Sequence, residues 1–276
     1  MFEPNCVVVL AAPELAIKSK AVRFFMQTRL KRNILLCLNN KQIEYSKVVY
    51  IGGRFLIYST EIKKVVDALK TCFGIHSFFL AQEKKFIGLS DICSSAVSIS
   101  TGAIEEGTFA IRGKSFVKEF SSKKLEEEVG GALLSAYPKL KVKLKGPEKE
   151  LFCLVQKTMV IFYFSSLPAA GGMPVGSQGR VALITDSYKK EELLHLGKLL
   201  LKTGCSLILV GDKLVELKEL EEWNCFQYLK LAYIEKSKSY YSHSGVRAFF
   251  SPAKSLEEAK RDSNLVGVKV FVPFLF

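Results

Sequence analysis

The apolar positions of the first third of the chain alternate between strand and helix patterns. Cys6–Ala12 is a short apolar run typical of a buried strand. From Lys18 to Leu38 the apolar spacing predicts a long helix, whose buried face carries Val22, Phe25, Met26, Ile34 and Leu38. The predicted elements that follow are two strands around Gly52-Gly53, a helix and a closing strand: Val48–Ile51, Arg54–Tyr58, Glu61–Leu69 and Phe73-Gly74-Ile75. This order is that of a ferredoxin-like domain.

A second set of patterns predicts an α+β unit. A helix is expected over Leu89–Ile99, a strand over Phe109–Phe116, and a helix starting near Lys123. Ser121 or Ser122 is expected to cap that helix, and Pro138 to end it. Lys139–Lys145 alternates strictly, which predicts a strand with one lysine face and one apolar face. Leu151–Phe164 indicates one or two more strands.

The last third changes to an α/β pattern after Ser165–Gly179, a Gly-, Ser- and Pro-rich stretch expected to be a linker or ordered loop. Strands are predicted over Val181–Ile184, Ser206–Val210 and Leu229–Ile234. Helices are predicted over Lys190–Lys202, Glu216–Glu222 and Leu256–Lys260, and the sequence ends with the apolar stretch Val268–Phe276. Strand–helix–strand spacing of this kind implies a parallel, Rossmann-like sheet. We therefore expect α+β followed by α/β, in three domains: 1–75, 76–165 and 166–276.

Charge indicates a polyanionic partner. The chain carries 40 basic and 27 acidic side chains, a net charge of +13, and residues 1–80 hold 12 basic against 5 acidic groups. Nucleic acid or an acidic membrane surface would suit this balance. No apolar run reaches the ~18 residues of a membrane span. We expect a soluble cytoplasmic protein with no membrane partner.

The cysteines give no local metal motif. None of the seven is spaced C-x-x-C, and the three histidines are isolated, so no metal site is expected. Dispersed cysteines suit a reducing compartment, where most act as small buried hydrophobes. Cys205 and Cys225 are candidates for a reactive thiol, and packing in the core is the favoured interpretation of both.

Three groups of basic residues are candidates for RNA binding. They are Lys18, Lys20 and Arg23 at a helix start, Arg112, Lys114 and Lys118 on and after a strand, and Lys141 and Lys143 within the alternating run Lys139–Lys145. Each could neutralise a phosphate, and each could instead be an ordinary solvated side chain. Lysines on an edge strand also discourage aggregation.

Four stretches resemble the ThiI-type tRNA sulfurtransferases, which make 4-thiouridine in tRNA. They are Glu14-Leu-Ala-Ile-Lys-Ser-Lys20 with Arg23 and Asn33-Ile34, Phe73-Gly74-Ile75, Thr108-Phe-Ala-Ile-Arg-Gly-Lys114 running to Val129-Gly130, and Gly171-Gly-Met-Pro-Val-Gly176. The resemblance implies a ferredoxin-like domain, a THUMP domain that grips the tRNA acceptor end, and a PP-loop domain that uses ATP and Mg. It assigns tRNA contact to Arg112 and Lys114.

The chain departs from the family at the adenylating loop. Where the family has S-G-G-x-D-S, this sequence has Val181-Ala-Leu-Ile-Thr-Asp-Ser-Tyr-Lys-Lys190. Both glycines are missing, so the backbone cradle for phosphate should not form. Thr185, Asp186 and Ser187 are predicted to cap a helix, and the family's sulfur-carrying cysteine has no clear counterpart. We expect no catalytic residue, and no ATP or Mg, for this chain alone.

The leading hypothesis is a ThiI-like protein that binds the tRNA acceptor end without adenylating it and presents tRNA to a separate sulfur-transferring enzyme. A working sulfurtransferase with a divergent loop is one alternative. A scaffold that binds an acidic protein is another, and a homodimer stays open. Other THUMP-linked enzymes are disfavoured, because no G-x-G-x-x-G follows a strand and no H-x-E with P-C-x-x-C is present.

Overall fold

The computed structural model describes residues 2–211, 217–227, 229, 231–232 and 245–274. The chain divides into two compact units, each made of separated segments. Unit 1 comprises Met1–Leu10, Glu44–Val66 and Ser77–Pro168, and unit 2 comprises Ala11–Ile43, Asp67–His76 and Ala169–Phe276. The three domain ranges expected from the sequence stay a prediction.

A large mixed sheet carries the first part of the fold. Its strands are β1 (Cys6–Ala11), β2 (Lys47–Ile51), β3 (Arg54–Tyr58), β4 (Ile75–Lys85), β5 (Gly107–Ser115), β6 (Leu140–Val142), β7 (Lys149–Gln156), β8 (Met159–Tyr163) and β9 (Leu167–Gly171). Eight of them follow the order β2-β3-β1-β4-β8-β7-β5-β6. The helices of this part of the chain are α1 (Pro13–Ala16), α2 (Lys20–Asn40), α3 (Ile62–Leu69), α4 (Leu89–Ser100) and α5 (Ser122–Ala136).

The ferredoxin-like prediction is confirmed by the strand pairing. β2 and β3 form an antiparallel hairpin in which Ile51 pairs with Arg54, and both glycines of the turn have positive φ. β3 in turn pairs antiparallel with β1, placing Val8 opposite Leu56. Cys6, Val8 and Leu56 are fully buried, so this face of the sheet is part of the hydrophobic core.

The next α+β segment packs two helices on a parallel strand pair. β5 and β7 run parallel, with Ile111 opposite Leu151. The helix α5 begins where the sequence predicted, because the Ser121 hydroxyl accepts a hydrogen bond from the Lys124 amide at 3.1 Å. Apolar residues of α4, α5 and the strands share one core, among them Ile92, Phe109, Leu125, Leu133 and Leu151.

The last part of the chain forms the predicted parallel sheet. The elements are β10 (Gly179–Ile184), α6 (Lys190–Lys202), β11 (Cys205–Val210), α7 (Lys218–Trp223), β12 (Leu231–Ala232), β13 (Val246–Phe250), α8 (Leu256–Val266) and β14 (Val270–Phe271). The strand order is β12-β11-β10-β13-β14, and every neighbouring pair is parallel. The order and pairing are consistent with a Rossmann-like domain. Residues 216, 230, 233–234 and 275–276 of the predicted elements lie outside the described residues.

Several predictions of local structure were wrong. In Lys139–Lys145 only Leu140–Val142 is a strand, and both Val142 and Leu144 are exposed, because β6 is an edge strand that ends after three residues. Val22 and Phe25 are exposed as well, although they share helical spacing with buried Met26. The expected linker after Ser165 contains β9, and β13 was not foreseen.

Candidate nucleic-acid interface

The first turns of α2 present a basic surface on unit 2. Lys18 and Lys20 are exposed, and Arg23 is half-buried, with one guanidinium nitrogen 3.4 Å from the Ala16 carbonyl oxygen. No acidic residue lies in the first turn of this helix. Positive charge is therefore concentrated at the point where the sequence predicted it.

Aromatic side chains lie among these basic residues. Phe24 is 71% exposed and Phe25 is 47% exposed. Lys20, Arg23 and Phe24 occupy positions i, i+3 and i+4, so they share one face of α2. The Arg29 guanidinium carbon lies 5.9 Å from the centre of the Phe25 ring. Cations beside an open aromatic ring can hold a phosphate and stack on a base at the same place.

Arg112 and Lys114, both on β5 of unit 1, differ in whether their charged groups are free to contact a phosphate. The Arg112 guanidinium forms an ion pair with Glu150 at 2.7 Å and donates a hydrogen bond to the Leu144 carbonyl oxygen at 2.8 Å. Lys114 is exposed, with its ammonium 5.6 Å from the centre of the Phe116 ring. Lys114 can therefore approach a phosphate without first breaking an ion pair, whereas Arg112 cannot.

The remaining predicted cations of unit 1 are exposed. Lys118 follows β5, and Lys141 and Lys143 lie in and after the edge strand β6. The Lys143 amide donates to the Phe109 carbonyl oxygen at 2.9 Å, which holds the backbone while the side chain stays in solvent. Lys118, Lys141 and Lys143 are accordingly accessible to a polyanion.

The loop between β10 and α6 is built from side chains rather than bare backbone. The Thr185 hydroxyl is buried and donates to the Val210 carbonyl oxygen at 3.1 Å. A Cβ placed on Gly211 would meet the Thr185 hydroxyl at 2.2 Å and an Asp186 carboxylate oxygen at 2.7 Å. Thr185 and Asp186 thus pack against Gly211 at the end of β11. The loop presents side chains where the family has the two glycines that bring backbone amides to a phosphate.

Thr185, Asp186 and Ser187 do not cap α6 as predicted. The N-cap residue is Lys189, whose amide donates to the Glu192 carboxylate at 3.2 Å. Ser187 instead has φ of +68°, a left-handed conformation that turns the chain ahead of the helix. The Lys254 ammonium pairs with Glu192 and lowers the pKa of that carboxyl. A carboxylate therefore already occupies the helix N-terminus, where an anion would bind.

A buried polar network lies beyond the ends of β10 and β13. Asp262 on α8 is fully buried and accepts hydrogen bonds from the Tyr188 and Ser251 hydroxyls and from the Arg261 guanidinium. Burial, and then the hydrogen bond to Asp262, raises the pKa of Tyr188. The carboxylate is fully partnered, so the network stabilises this end of the sheet.

Three of the four motifs behind the family resemblance come together in unit 2. The Gly74 amide donates to the Gly171 carbonyl oxygen at 2.8 Å, and the Ala12 amide donates to the Gly74 carbonyl oxygen at 2.8 Å. Asn33, buried in α2, donates from its side chain to the Val175 carbonyl oxygen at 3.1 Å. The role of these motif residues is to join segments of unit 2.

Sequence reasoning missed a cluster of three buried cysteines. Cys37, Cys72 and Cys225 lie in three separate segments of unit 2, and their sulfur atoms lie within 4.8 Å of one another. A hydrogen bond to Cys225 is the main cause that raises the pKa of both Cys37 and Cys72. No local spacing could have found the cluster, because the fold alone brings these residues together.

Two families match parts of the chain. Residues 7–78 match the ThiI ferredoxin-like domain, and residues 88–164 match the THUMP domain. A probable tRNA sulfurtransferase of Methanosarcina acetivorans is 31% identical over 66% of this chain and 45% of its own length. A probable tRNA sulfurtransferase of Bacillus velezensis is 32% identical over 62% of this chain and 43% of its own length. The chain thus spans less than half the length of these curated relatives.

Solved structures share the fold of nearly the whole chain. The crystal structure of PH1313 from Pyrococcus horikoshii has a TM-score of 0.79 at 21% identity, covering 98% of this chain and 94% of that one. A 4-thiouridine synthetase–RNA complex with bound ATP has a TM-score of 0.73 at 20% identity, covering 98% of this chain and 81% of that one. Among the described residues, no helix is long and apolar enough to cross a membrane. Through its ferredoxin-like and THUMP domains, and with a more distantly related third domain, the chain belongs to the ThiI-like tRNA sulfurtransferase family.

Proposed function

We propose that this chain binds the acceptor end of tRNA through exposed basic side chains and does not adenylate the tRNA by itself. The observation that carries the proposal is the surface at the start of α2, where Lys20 and Arg23 share a helix face with the exposed ring of Phe24 and Lys18 lies just before the helix. Phosphate contacts would position the RNA, and the ring would stack on an unpaired base of the single-stranded end.

The THUMP domain supplies a second set of cations. Lys114, Lys118, Lys141 and Lys143 are exposed, and within the described part of the chain no ion pair joins any of them to an acidic residue. Recognition through lysines on the backbone of a helical RNA depends on shape more than on sequence. We therefore expect affinity for tRNAs in general, with little preference among their acceptor-stem sequences.

The absence of adenylation is proposed from the loop after β10. Thr185 and Asp186 replace the family's glycines and pack against Gly211, and Glu192 occupies the N-terminus of α6. A phosphate at that place would have to displace side chains and would meet a carboxylate. A separate sulfur-transferring enzyme would then act on the tRNA that this chain holds.

The binding experiment compares the full chain with K18Q/K20Q/R23Q and with F24A, using intact tRNA and tRNA trimmed of its CCA end over a salt series. We expect the triple variant to lose about 2 to 3 from the slope of log affinity against log salt. F24A should weaken binding of intact tRNA roughly fivefold or more and leave binding of trimmed tRNA unchanged. K63Q, an exposed lysine of α3, is the control. Weak, salt-independent binding would refute the proposal.

The adenylation experiment incubates the chain with tRNA, ATP and Mg²⁺ and measures AMP release and 4-thiouridine. We expect neither product above the level of a reaction without protein. Formation of either would favour the alternative of a working sulfurtransferase with a divergent loop. The scaffold alternative predicts instead that an acidic protein displaces tRNA, which a competition assay on the same sample detects.

A further inference from the structure

We propose that Cys37, Cys72 and Cys225 form a binding site for one thiophilic d¹⁰ metal ion, Zn²⁺ or Cu⁺, in unit 2. The inference is independent of the proposed function, because none of the three residues is among those assigned to RNA or nucleotide. All three are fully buried. Soft thiolate ligands select this class of ion.

The spacing of the three sulfur atoms suits a single ion. They lie within 4.8 Å of one another. Metal–sulfur bonds of about 2.3 Å place the thiolates of one trigonal or tetrahedral centre about 4 Å apart. The cluster therefore needs only small side-chain adjustments to become a coordination sphere.

Specific contacts hold the three ligand-bearing segments in place. Cys37 is in the last turns of α2, Cys72 follows α3, and Cys225 follows α7. The Asn40 side chain donates to the Cys225 carbonyl oxygen at 3.1 Å, and the Thr71 hydroxyl donates to the Glu222 carbonyl oxygen at 3.1 Å. Each segment is thereby tied to a neighbour, as a preorganised site requires.

The backbone at Cys225 is also unusual. Cys225 and Phe226 both have φ of +56°, a left-handed conformation that residues other than glycine seldom adopt. The Lys41 ammonium lies 4.3 Å from the centre of the Phe226 ring, and the Phe226 amide donates to the Glu221 carbonyl oxygen at 2.7 Å. Two strained residues in succession, held by such contacts, indicate that the position of the Cys225 thiol is specified. Packing of a small hydrophobe alone would not require this strain.

Binding would join three distant parts of the chain. Each thiol that becomes a ligand releases its proton to solvent, and the ion then cross-links α2 with the segments after α3 and α7. An ion that binds only the folded chain raises the melting temperature as its concentration rises. The ion would thus stabilise unit 2.

The test uses the full chain, reduced and stripped with a chelator under anaerobic conditions. Zn²⁺ and Cu⁺ are titrated separately against a competing chelator, and Co²⁺ serves as a spectroscopic probe of sulfur coordination. We expect one ion per chain, a sulfur-to-cobalt charge-transfer band, and at least about 100-fold weaker binding in C37A and C225A. C153A is the matched control, since Cys153 is a buried thiol of unit 1. The Zn²⁺ and Cu⁺ arms identify the ion.

A chain that binds neither ion at equimolar concentration overturns the proposal, and so does a C153A variant that loses binding as C225A does. If C37A and C225A do not fold, two measurements on the unmodified chain test the proposal instead. Its Co²⁺ complex must show sulfur coordination, and bound ion must slow alkylation of Cys37, Cys72 and Cys225 but not of Cys93. Equal alkylation rates with and without the ion, or a disulfide within the cluster that excludes it, would refute the site.

Discussion

The amide of Gly74 donates a hydrogen bond to the carbonyl oxygen of Gly171, 2.8 Å away. These two glycines belong to different family motifs, and both have positive φ. Gly74 also lies against Pro174, so the F-G-I segment and the Gly-rich segment form one packed junction in unit 2. The glycines of these two motifs therefore have a structural role here.

Replacing Gly74 with alanine should destabilise the protein. Its φ is +97°, and an added Cβ would meet the Pro174 ring at 2.8 Å and the Pro174 backbone nitrogen at 3.1 Å. We expect G74A to lower the free energy of unfolding by roughly 2 kcal/mol or more, measured by urea denaturation. The control is G131A in α5, where nothing lies within 4 Å of the added carbon. That variant should gain about 0.5 to 1 kcal/mol, and equal stabilities would contradict the argument.

Asn33 offers a second probe of the same junction. It is 3% exposed, and its side chain donates to the Val175 carbonyl oxygen. Removing the donor leaves a carbonyl without its partner, so N33A should cost about 1 to 3 kcal/mol in the free energy of unfolding. N264A, at an exposed position of α8, should change it by less than about 0.5 kcal/mol. The salt dependence of tRNA binding should be the same in both variants, and a change in N33A alone would show that this junction also positions the basic residues that bind RNA.

Arg112 and Lys114 should differ in how they affect RNA binding. Arg112 is already paired with Glu150, whereas Lys114 is exposed. We expect K114Q to lower the slope of log affinity against log salt by about 0.7 to 0.9, with R112Q changing it much less. R112Q should instead lower the free energy of unfolding by up to about 1 kcal/mol, a modest loss because the pair is partly solvated. An R112Q variant with native stability and a reduced slope would show that this guanidinium contacts RNA directly.

Cys6 should make stability fall at alkaline pH. Burial, followed by the negative charge of Glu83, raises the pKa of its thiol from 9.0 to about 12. The unfolded chain therefore loses the thiol proton at a lower pH than the folded chain does. The contribution of the protonated thiol to the free energy of unfolding is complete below pH 9 and is lost as pH rises from about 9 toward 12. One proton corresponds to about 1.4 kcal/mol per pH unit. Urea unfolding under reducing conditions should show a shallower alkaline decline for C6A than for the unmodified chain, and parallel declines would contradict the assignment.

Local sequence patterns predicted the structure correctly where a few neighbouring residues determine it. The Ser121 cap and the Gly52-Gly53 turn follow from the chemistry of a few neighbouring residues, and both form as expected. The helix over Lys190–Lys202 was predicted with its observed bounds, since its apolar stripe faces one side. The basic surface of α2 was also recognised, because charge is visible in sequence.

Local sequence patterns did not predict how distant segments of the chain pack together. Helical spacing placed Val22 and Phe25 with Met26, yet only Met26 is buried, because periodicity defines a face and not how far along the helix it is covered. The alternation of Lys139–Lys145 was similarly misleading on an edge strand. The cysteine cluster depends on three segments meeting, which no spacing rule registers.

The discontinuous build of unit 2 has a consequence for biosynthesis. Its helix α2 is translated early, but Val175 and Cys225, which lie beside Asn33 and Cys37, belong to residues 169–276 and are translated last. Until those residues are synthesised, part of the apolar side of α2 is uncovered. Exposed apolar surface of this kind makes a nascent chain prone to aggregation, so we expect chaperones to bind it. A truncated chain that begins after residue 43 would lack part of this core and should be insoluble.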